Sequence, residues 1–378
     1  MSPGIFARPP QFSAKFLPAA AGGGLKIGIG VFSVESSNFF QQTPPVMKKV
    51  AILEPGAWGT ALGILLSKKS DVSFWYENRE LALKLSRARE NERLPGIKIP
   101  GKIFILSDLR KAIKEADLII VASPSFNFRK TLTKLKKCIG DTYINCPSLV
   151  GIAKGIEKET LKVPSQIAEE IFGKIPYAHL SGPGFAKEII RGKSAKEVIA
   201  SRDEKFLKQL EELFRIKPLE ISTTTDLVGV QLAGALKNTL SIGISLAEAG
   251  LEDSEIEKIK RGLIYLGLRE MIKIGKVMGA EKETFLGPAG LGDLILTSTS
   301  PLSRNFQFGQ NLLLDANKMR RDIIERKITV EGFDNVFALH KLGRMYKLDL
   351  PMINEIYKVI YKKTSSKRVV KNLTDLIK

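Results

Sequence analysis

The 378-residue chain contains few of the residues on which several kinds of site depend, with two cysteines and two histidines in all. Cys138 and Cys146 have no metal-ligand residues beside them in the sequence, which argues against a disulfide framework or a structural zinc site. His179 and His340 stand far apart, and neither has the sequence context of a serine nucleophile. Proton chemistry in this protein is therefore expected to use lysine or a carboxylate.

Long apolar runs and concentrated basic tracts are also absent from the sequence. No stretch reads as long and apolar enough to span a membrane. Hydrophobic residues make up 44% of the chain, which suffices for buried cores, and the length allows two domains. The formal net charge of +19 favours anionic partners. Because the basic residues are mixed with acidic ones along amphipathic segments, we expect a small phosphorylated substrate rather than nucleic acid.

The first 46 residues differ from the rest of the chain. Residues 1–46 are rich in glycine, proline, serine, alanine and phenylalanine, with Glu35 as their only acid, which predicts disorder apart from a possible strand at 25–34. An organelle transit peptide is one explanation. The other is an extension upstream of a natural start at Met47. Three basic residues without an arginine-rich amphipathic helix favour the extension.

From Lys48 onward, β-rich and helical patterns alternate, which predicts an α/β fold: a Rossmann-type, mostly parallel sheet with helices on both faces over residues 47–222. The apolar β-rich runs are residues 50–53, 72–76, 118–122, 149–153, 178–181, 198–201 and 219–222. The amphipathic segments between them are residues 79–91, 109–115, 128–139, 163–172 and 204–214.

After residue 222 the pattern is helical almost throughout, which predicts an all-helical substrate domain over residues 223–378. Thr225 or Asp226 is placed to cap a long helix that ends near Leu246. The cleft between the two domains is the expected binding site.

The stretch from Val50 to Leu62 reads as a strand, a tight turn and a helix start. Gly56 and Gly59 fill the second and third glycine positions of the dinucleotide fingerprint G-x-G-x-x-G, in which backbone N–H groups face a pyrophosphate. Glu54 stands at the first. We expect Glu54 to prefer extended angles before Pro55 and to repel the pyrophosphate, which would weaken cofactor binding. An ordinary strand–helix turn is the alternative.

The residues after the second β-rich run bear on the choice of cofactor. Glu77 lies about 20 residues beyond the fingerprint, where an acid can accept a hydrogen bond from the ribose 2′-hydroxyl of NAD. Arg79 could instead hold the 2′-phosphate of NADP. The ordinary alternative for Glu77 is a solvated surface residue.

Two lysines are candidates for proton transfer. Lys154 ends a β-rich run and is followed by Gly155, although an exposed lysine would look the same. Lys237 and Asn238 lie inside an apolar helix, where an unpaired charge is costly. A desolvated lysine titrates at lower pH, which suits a general acid or base; a satisfied core lysine is the alternative.

Further polar residues cluster in the helical half. Asp293 follows Gly290-Leu291-Gly292 at a helix start, and Thr297 lies one turn later on the same face. Ser303-Arg304-Asn305 groups hydrogen-bond donors with an arginine, which can bind phosphate in bidentate fashion. The alternative is a helix cap beside a surface arginine.

Taken in order, these motifs resemble the bacterial-type NAD(P)-dependent glycerol-3-phosphate dehydrogenase family, from Lys48 to about Tyr361. The stretches that carry the resemblance are Gly56-Ala57-Trp58-Gly59-Thr60-Ala61-Leu62, Lys154-Gly155, Ser181-Gly182-Pro183-Gly184-Phe185-Ala186, Gly234-Ala235-Leu236-Lys237-Asn238, Gly290-Leu291-Gly292-Asp293-Leu294, Ser303-Arg304-Asn305 and Val330-Glu331-Gly332.

The resemblance implies reversible hydride transfer between NAD(P)H and dihydroxyacetone phosphate, giving sn-glycerol 3-phosphate for glycerophospholipid synthesis. It implies NAD or NADP as cofactor, with NAD favoured, and no metal. A cytoplasmic location and a homodimer are the corresponding expectations. Two alternatives stay open: a related two-domain dehydrogenase acting on a 3-hydroxy acid or sugar acid, and a degenerate nucleotide-binding module without turnover.

The resemblance also assigns roles to individual residues. By position, the catalytic group is Lys237 with Lys154, Asp293 and Thr297. The substrate-binding residues are Lys154, Gly182, Gly184, Asn238, Asp293, Ser303, Arg304 and Asn305. The cofactor-binding residues are Gly56, Ala57, Trp58, Gly59, Glu77, Arg79, Lys154, Ala186, Arg304 and Glu331.

Overall fold

The structure is a computed structural model that describes residues 47–140, 148–325 and 327–377. The predictions for residues 1–46, whether a disordered extension, a transit peptide or a local strand, lie outside the described residues, as does Cys146. All described residues belong to one compact unit, so a division into domains at residue 222 stays a prediction.

One eight-stranded sheet occupies the N-terminal half of the described chain. Its strands are β1 (Lys49–Leu53), β2 (Asp71–Trp75), β3 (Phe104–Leu106), β4 (Leu118–Val121), β5 (Ser148–Gly151), β6 (Tyr177–Ser181), β7 (Ala195–Ser201) and β8 (Leu219–Thr224). Their order is β3-β2-β1-β4-β5-β6-β7-β8. Every neighbouring pair is parallel except β6 and β7. The predicted mostly parallel sheet is confirmed.

The seven predicted strands are present, and the structure adds β3. This strand is apolar, but it has only three residues and lies at the sheet edge, where Phe104 is 65% exposed. Strand β4, by contrast, is buried along its whole length between helices on both faces, which explains its continuous run of apolar residues.

In the described part of the chain seven helices connect the strands, and three of them begin at a residue whose side chain caps the helix. They are α1 (Ala57–Leu66), α2 (Arg79–Ala88), α3 (Leu109–Ala112), α4 (Phe128–Ile139), α5 (Pro164–Phe172), α6 (Ala186–Ile189) and α7 (Glu204–Phe214). Asn78, Asp108 and Asp203 each accept a hydrogen bond from a backbone N–H in the first turn of α2, α3 and α7.

The predicted helical half is confirmed, and in its described residues eight α-helices follow the last strand. They are α8 (Leu227–Ala249), α9 (Asp253–Val277), α10 (Lys282–Leu286), α11 (Asp293–Thr299), α12 (Arg304–Ile324), α13 (Glu331–Met345), α14 (Pro351–Tyr361) and α15 (Ser366–Asp375). Of the two predicted caps for α8, Asp226 is the one that acts: its Oδ1 accepts from Gly229 N at 2.8 Å. Its Oδ2 accepts from Glu281 N at 2.9 Å and so also ties down the start of α10. Helix α8 runs three residues beyond the predicted end at Leu246.

Helix α8 is the core of the helical half. With 23 residues and a mean hydropathy of 1.3, α8 is long and apolar enough to cross a membrane. The prediction that no segment has the length and composition of a membrane span is therefore wrong for α8. The whole apolar window is buried inside the protein. A helix that is apolar on all sides and covered by other helices is a core helix.

The carboxyl ends of the parallel strands bring the functional loops against α8. Lys154 follows β5, and Gly182 follows β6. Gly234 on α8 permits a close approach, because a Cβ built there would lie 3.2 Å from Lys154 Cγ. The Lys154 side chain therefore packs directly against the backbone of α8 at Gly234.

Candidate active site

Four predicted catalytic side chains meet at the start of α11, and together they form the lysine–aspartate cluster: Lys154, Lys237, Asp293 and Thr297. The Lys237 ammonium donates to Asp293 Oδ1 at 3.0 Å and to Thr297 Oγ1 at 2.7 Å. The Lys154 ammonium donates to Asp293 Oδ2 at 2.7 Å. Thr297 Oγ1 donates to Asp293 Oδ1 at 3.2 Å, one helical turn away. One carboxylate therefore holds two ammonium groups.

Burial and charge give the two lysines different proton affinities. Burial lowers the pKa of Lys237 to about 8, with Lys154 adding to the effect and Asp293 opposing it. Burial opposes the charge on Lys154 as well, yet the attraction of Asp293 raises the pKa of Lys154 overall. Burial would raise the pKa of Asp293, but the two ammonium groups hold it below its usual value. Lys154 thus stays charged, while Lys237 can exchange a proton near neutral pH.

A residue that the sequence analysis did not single out holds the Lys154 loop in place. Asn335 on α13 is fully buried, and its Nδ2 donates to Lys154 O at 3.0 Å and to Ala235 O at 3.2 Å. Its Oδ1 accepts from Ile156 N at 3.1 Å. Asn335 therefore joins the loop after β5 to α8 and α13. An asparagine in an apolar helix was the available signal, but its partners are distant in sequence.

Asn238 is the centre of a second hydrogen-bonded group. Its Oδ1 accepts from Asn305 Nδ2 at 2.9 Å, and its Nδ2 lies 3.4 Å from Glu331 Oε2. Asn305 Oδ1 also accepts from Gly332 N at 3.1 Å, while Glu331 Oε1 lies 3.4 Å from Ser125 N. These bonds connect α8, α12, α13 and the turn after β4 around one edge of the lysine–aspartate cluster.

The predicted Ser303-Arg304-Asn305 trio divides into two roles. Ser303 is buried and caps α12, since its Oγ accepts from Phe306 N at 3.2 Å. Asn305 is buried in the group around Asn238. Arg304 is exposed at the first position of α12, where no acidic residue occupies the first turn. Of these three residues, Arg304 is therefore the one whose side chain can face a ligand. Its positive charge also acts on the partly buried Glu331 and favours the ionised form of that carboxyl group.

The fingerprint turn has the features that a dinucleotide phosphate requires. Gly56 precedes α1, whose first turn has neither a capping side chain nor an acidic residue, so its N–H groups are available. A Cβ at Gly56 would meet only the Arg93 guanidinium, at 3.7 Å, which adds a cation that the sequence analysis missed. A Cβ at Gly59 would lie 2.8 Å from Ala122 Cβ, so this glycine allows α1, starting at Ala57, to pack closely on the sheet. The turn therefore fits the cofactor.

Glu54 corrects the expectation about this turn. It is not extended: its φ is +54°, a left-handed conformation that glycine adopts without steric cost. Its N–H donates to Trp75 O at 2.8 Å, and its Oε1 accepts from Glu77 N at 2.6 Å. Tyr76 supports the turn by donating to Pro55 O at 3.0 Å. The carboxylate is thus tied to the end of β2, and the turn keeps its shape.

Glu77 and Arg79 lie on the surface at the end of β2 and the start of α2. The Glu77 carboxylate forms ion pairs with Lys134 and, at 3.3 Å, with Lys130, both on α4. These lysines hold the pKa of Glu77 below its usual value, so it is ionised. Arg79 is exposed at the first position of α2. Both predicted residues are therefore accessible to the adenosine end of a dinucleotide bound at the fingerprint turn.

The loop from Gly182 to Gly184 links the cofactor turn to the lysine–aspartate cluster. Trp58 Nε1 donates to Gly184 O at 3.1 Å, and Lys154 Nζ donates to Gly182 O at 2.9 Å. Ala186, predicted to contact cofactor, packs with Ala61 in a small apolar cluster beside α1. Trp58 thus makes a protein contact that positions the loop.

Metal ligation and the second histidine play no visible part in this arrangement. Among residues 47–140, 148–325 and 327–377, no group of three His, Cys, Asp or Glu side chains is placed to hold a metal ion. His340 lies on α13 and donates to or accepts from Asn354 Oδ1 at 2.9 Å, away from the lysine–aspartate cluster.

Comparison with known protein families covers both halves of the chain. The family model for the N-terminus of NAD-dependent glycerol-3-phosphate dehydrogenase matches residues 49–207, and the model for its C-terminus matches residues 226–371. The chain is 36% identical over 328 residues to glycerol-3-phosphate dehydrogenase [NAD(P)+] of Hydrogenovibrio crunogenus, covering 86% of this chain and 94% of that protein. It is 33% identical over 328 residues to the protein of the same name from Nitrosomonas eutropha, covering 86% and 97%.

Solved structures give the same result. The crystal structure of glycerol-3-phosphate dehydrogenase from Coxiella burnetii superposes with a TM-score of 0.80 at 27% identity, covering 87% of this chain and 99% of that one. The similarity therefore extends across the described sheet and the helices that follow it.

Proposed function

The chain belongs to the NAD-dependent glycerol-3-phosphate dehydrogenase family, and on that premise we propose that Lys237 is the residue that exchanges a proton with the substrate. The enzyme is an NAD(P)-dependent oxidoreductase acting on glycerol 3-phosphate. The observation that supports the role of Lys237 is its burial in the lysine–aspartate cluster, where its ammonium contacts Asp293 and Thr297.

The residues of the cluster have complementary tasks in ketone reduction. When bound, the nicotinamide supplies the hydride. The substrate carbonyl oxygen then needs a proton, and Lys237, with its pKa lowered by burial to about 8, donates it. Lys154 keeps its charge and stabilises negative charge on that oxygen. Asp293 holds both ammonium groups in place. In the oxidation of glycerol 3-phosphate, Lys237 accepts the proton.

Arg304 is our candidate for binding the substrate phosphate. A guanidinium can hold two phosphate oxygens at once, and the N-terminus of α12 adds backbone N–H groups and a favourable dipole. Arg304 is exposed at that N-terminus, whereas Ser303 and Asn305 are buried and support it. A phosphate site here favours a phosphorylated substrate over a simple 3-hydroxy acid.

The cofactor residues divide between phosphate binding and ribose binding. We assign the pyrophosphate to the N-terminus of α1 at Gly56, with Arg93 beside it. We assign the adenosine ribose to Glu77, whose ionised carboxylate accepts from a 2′-hydroxyl and repels a 2′-phosphate. This assignment favours NAD over NADP.

The physiological setting follows from the product. Glycerol 3-phosphate is a precursor of glycerophospholipids, so we propose that the enzyme supplies that synthesis from the cytoplasm, and that it acts as a homodimer.

The direct test is NADH oxidation with dihydroxyacetone phosphate, followed by the loss of NADH absorbance. Turnover with dihydroxyacetone phosphate and little with unphosphorylated dihydroxyacetone supports the proposal. Equal turnover with both ketones would show that the protein has no binding site for the substrate phosphate. Absence of turnover with tight NADH binding would indicate a nucleotide-binding module without this activity.

A further inference from the structure

Glu197 is a buried carboxyl group beside the active site that none of the assigned roles includes. It lies on β7 and is 1% exposed. A carboxyl group is rarely buried without a partner, because burial disfavours its charged form. Its Oε1 atom nevertheless has no hydrogen-bond partner. A group in this position calls for a functional explanation.

Two glycines make the space that the Glu197 carboxyl occupies. A Cβ on Gly182 would lie 2.7 Å from Glu197 Oε2, and a Cβ on Gly184 would lie 2.7 Å from Glu197 Oε1. These glycines belong to the loop that receives Lys154 at Gly182 O and Trp58 at Gly184 O. The carboxyl thus lies directly behind the loop that holds the lysine–aspartate cluster.

The charged groups that act on Glu197 are those of the cluster. Lys154 follows β5, Lys237 lies on α8 and Asp293 begins α11, and each influences the Glu197 carboxyl electrostatically. On the neighbouring elements, Ile221 of β8 lies opposite Glu197, and α7 packs against the sheet with apolar side chains. Glu331 of α13 also acts on Lys154 and Lys237, and its charge favours the ammonium form of both. On β6, burial and Lys154 lower the pKa of His179 to about 3, so it is neutral.

We propose that Glu197 is a positioning residue for the lysine–aspartate cluster. The negative charge of Glu197 keeps Lys237 protonated as the pH rises, and Glu197 thereby sets the upper pH limit of ketone reduction. The inference rests on the proposed role of Lys237. Glu197 touches neither substrate nor cofactor in this scheme; it acts only on the lysines.

The coupling between the two groups explains how this works. Burial raises the pKa of Glu197 to about 8, close to that of Lys237. As the pH rises, a proton lost from Glu197 leaves a carboxylate that favours the ammonium form of both lysines. The pair then loses its protons in two steps that belong to both groups. Without the Glu197 carboxyl, Lys237 loses its proton at lower pH.

Glu197→Gln tests this proposal in the full-length enzyme. The alkaline limb of the pH profile of kcat for dihydroxyacetone phosphate reduction should shift down by about one pH unit, the interaction at which two groups titrate as a coupled pair. Glu197→Ala, which removes the same charge with less volume, should shift it equally. Glu270 is an equally buried carboxyl on α9 that accepts from Met352 N and Ile353 N, so Glu270→Gln is the matched control and should leave the limb in place. An alkaline limb that does not move in either Glu197 variant overturns the proposal.

Urea unfolding gives a second readout that does not depend on activity. An acid with a raised pKa in the folded state binds a proton that the unfolded chain has lost, so it makes stability fall as the pH rises between the two pKa values. The urea midpoint of the wild type minus that of Glu197→Gln should therefore be smaller at about pH 7.5 than at about pH 5.5. An equal difference at both pH values contradicts a protonated Glu197. If the wild type fails to reduce the ketone at all, the proposed function fails, and unfolding still decides whether Glu197 holds its proton.

Discussion

The left-handed backbone of Glu54 makes a prediction that two substitutions can separate. Glu54→Ala and Glu54→Gly both remove the carboxylate that accepts from Glu77 N. Alanine keeps a Cβ at a φ of +54°, whereas glycine does not. The difference in stability between the two variants therefore isolates the strain at this one residue.

The expected difference is about 0.5–1 kcal/mol in favour of Glu54→Gly. A side chain in the left-handed region costs about 1–2 kcal/mol. The greater freedom of glycine in the unfolded chain cancels about 0.5–1 kcal/mol of that gain. Both variants lose the same hydrogen bond, so this loss drops out of the comparison.

Urea titration with tryptophan fluorescence measures this difference, because Trp58 follows the turn in the sequence and the Trp75 carbonyl oxygen accepts a hydrogen bond from Glu54 N. A Glu54→Ala protein at least as stable as Glu54→Gly would refute the left-handed turn. The Kd for NADH should change little in Glu54→Gly, since the carboxylate is tied to β2. Tightening by about tenfold, or about 1.4 kcal/mol, would instead place that carboxylate against the pyrophosphate.

Three further predictions concern the site. Arg304→Lys keeps the charge but loses the bidentate fork, so KM for dihydroxyacetone phosphate should rise by about 10- to 150-fold, the equivalent of one charge-assisted hydrogen bond of about 1.5–3 kcal/mol. An unchanged KM would show that Arg304 does not bind the substrate phosphate. The wild type should have a higher kcat/KM with NADH than with NADPH. Glu77→Ser should reduce the ratio of these two kcat/KM values, because it frees Lys130 and Lys134 to attract a 2′-phosphate. Equal kcat/KM values for the two cofactors in the wild type would contradict the assignment of the adenosine ribose to Glu77. Because burial lowers the pKa of Lys237 to about 8, ketone reduction should slow above that pH while glycerol 3-phosphate oxidation gains from a deprotonated Lys237; a reduction rate that is flat through pH 8 would exclude this group.

The fold was largely readable from the sequence because most elements have strong local signals. Strand β4 is buried on both faces and therefore continuous in its apolar residues, and α8 begins at a capping aspartate. Strand β3 was missed although its residues are apolar, because a run this short does not distinguish a strand from a loop. Strand β7 begins at Ala195, three residues before the predicted start, because Lys196 and Glu197 interrupt its apolar run.

The site was readable in its members but not in its contacts. Lys154, Lys237 and Asp293 could each be proposed from local context, yet only the folded chain places two ammonium groups on one carboxylate. The conformation of Glu54 was predicted wrongly because the local preference before proline is overridden by bonds to Trp75 and Glu77, more than twenty residues away. Glu197 carried a visible signal, a charge inside a buried strand, but the glycines that enclose it lie on another loop.

The most direct test of the central claim is kcat for dihydroxyacetone phosphate reduction in Lys237→Met at saturating NADH. Methionine roughly preserves the side-chain volume, so the fold and NADH binding should survive, while kcat should fall by about 10²–10⁴-fold, the usual contribution of general acid–base catalysis. Lys273→Met, which removes a lysine of α9 that is paired with the exposed Asp349, is the control and should retain wild-type kcat. A folded Lys237→Met protein that binds NADH and turns over at a near-normal rate would contradict the role of Lys237 and make Lys154 the next candidate.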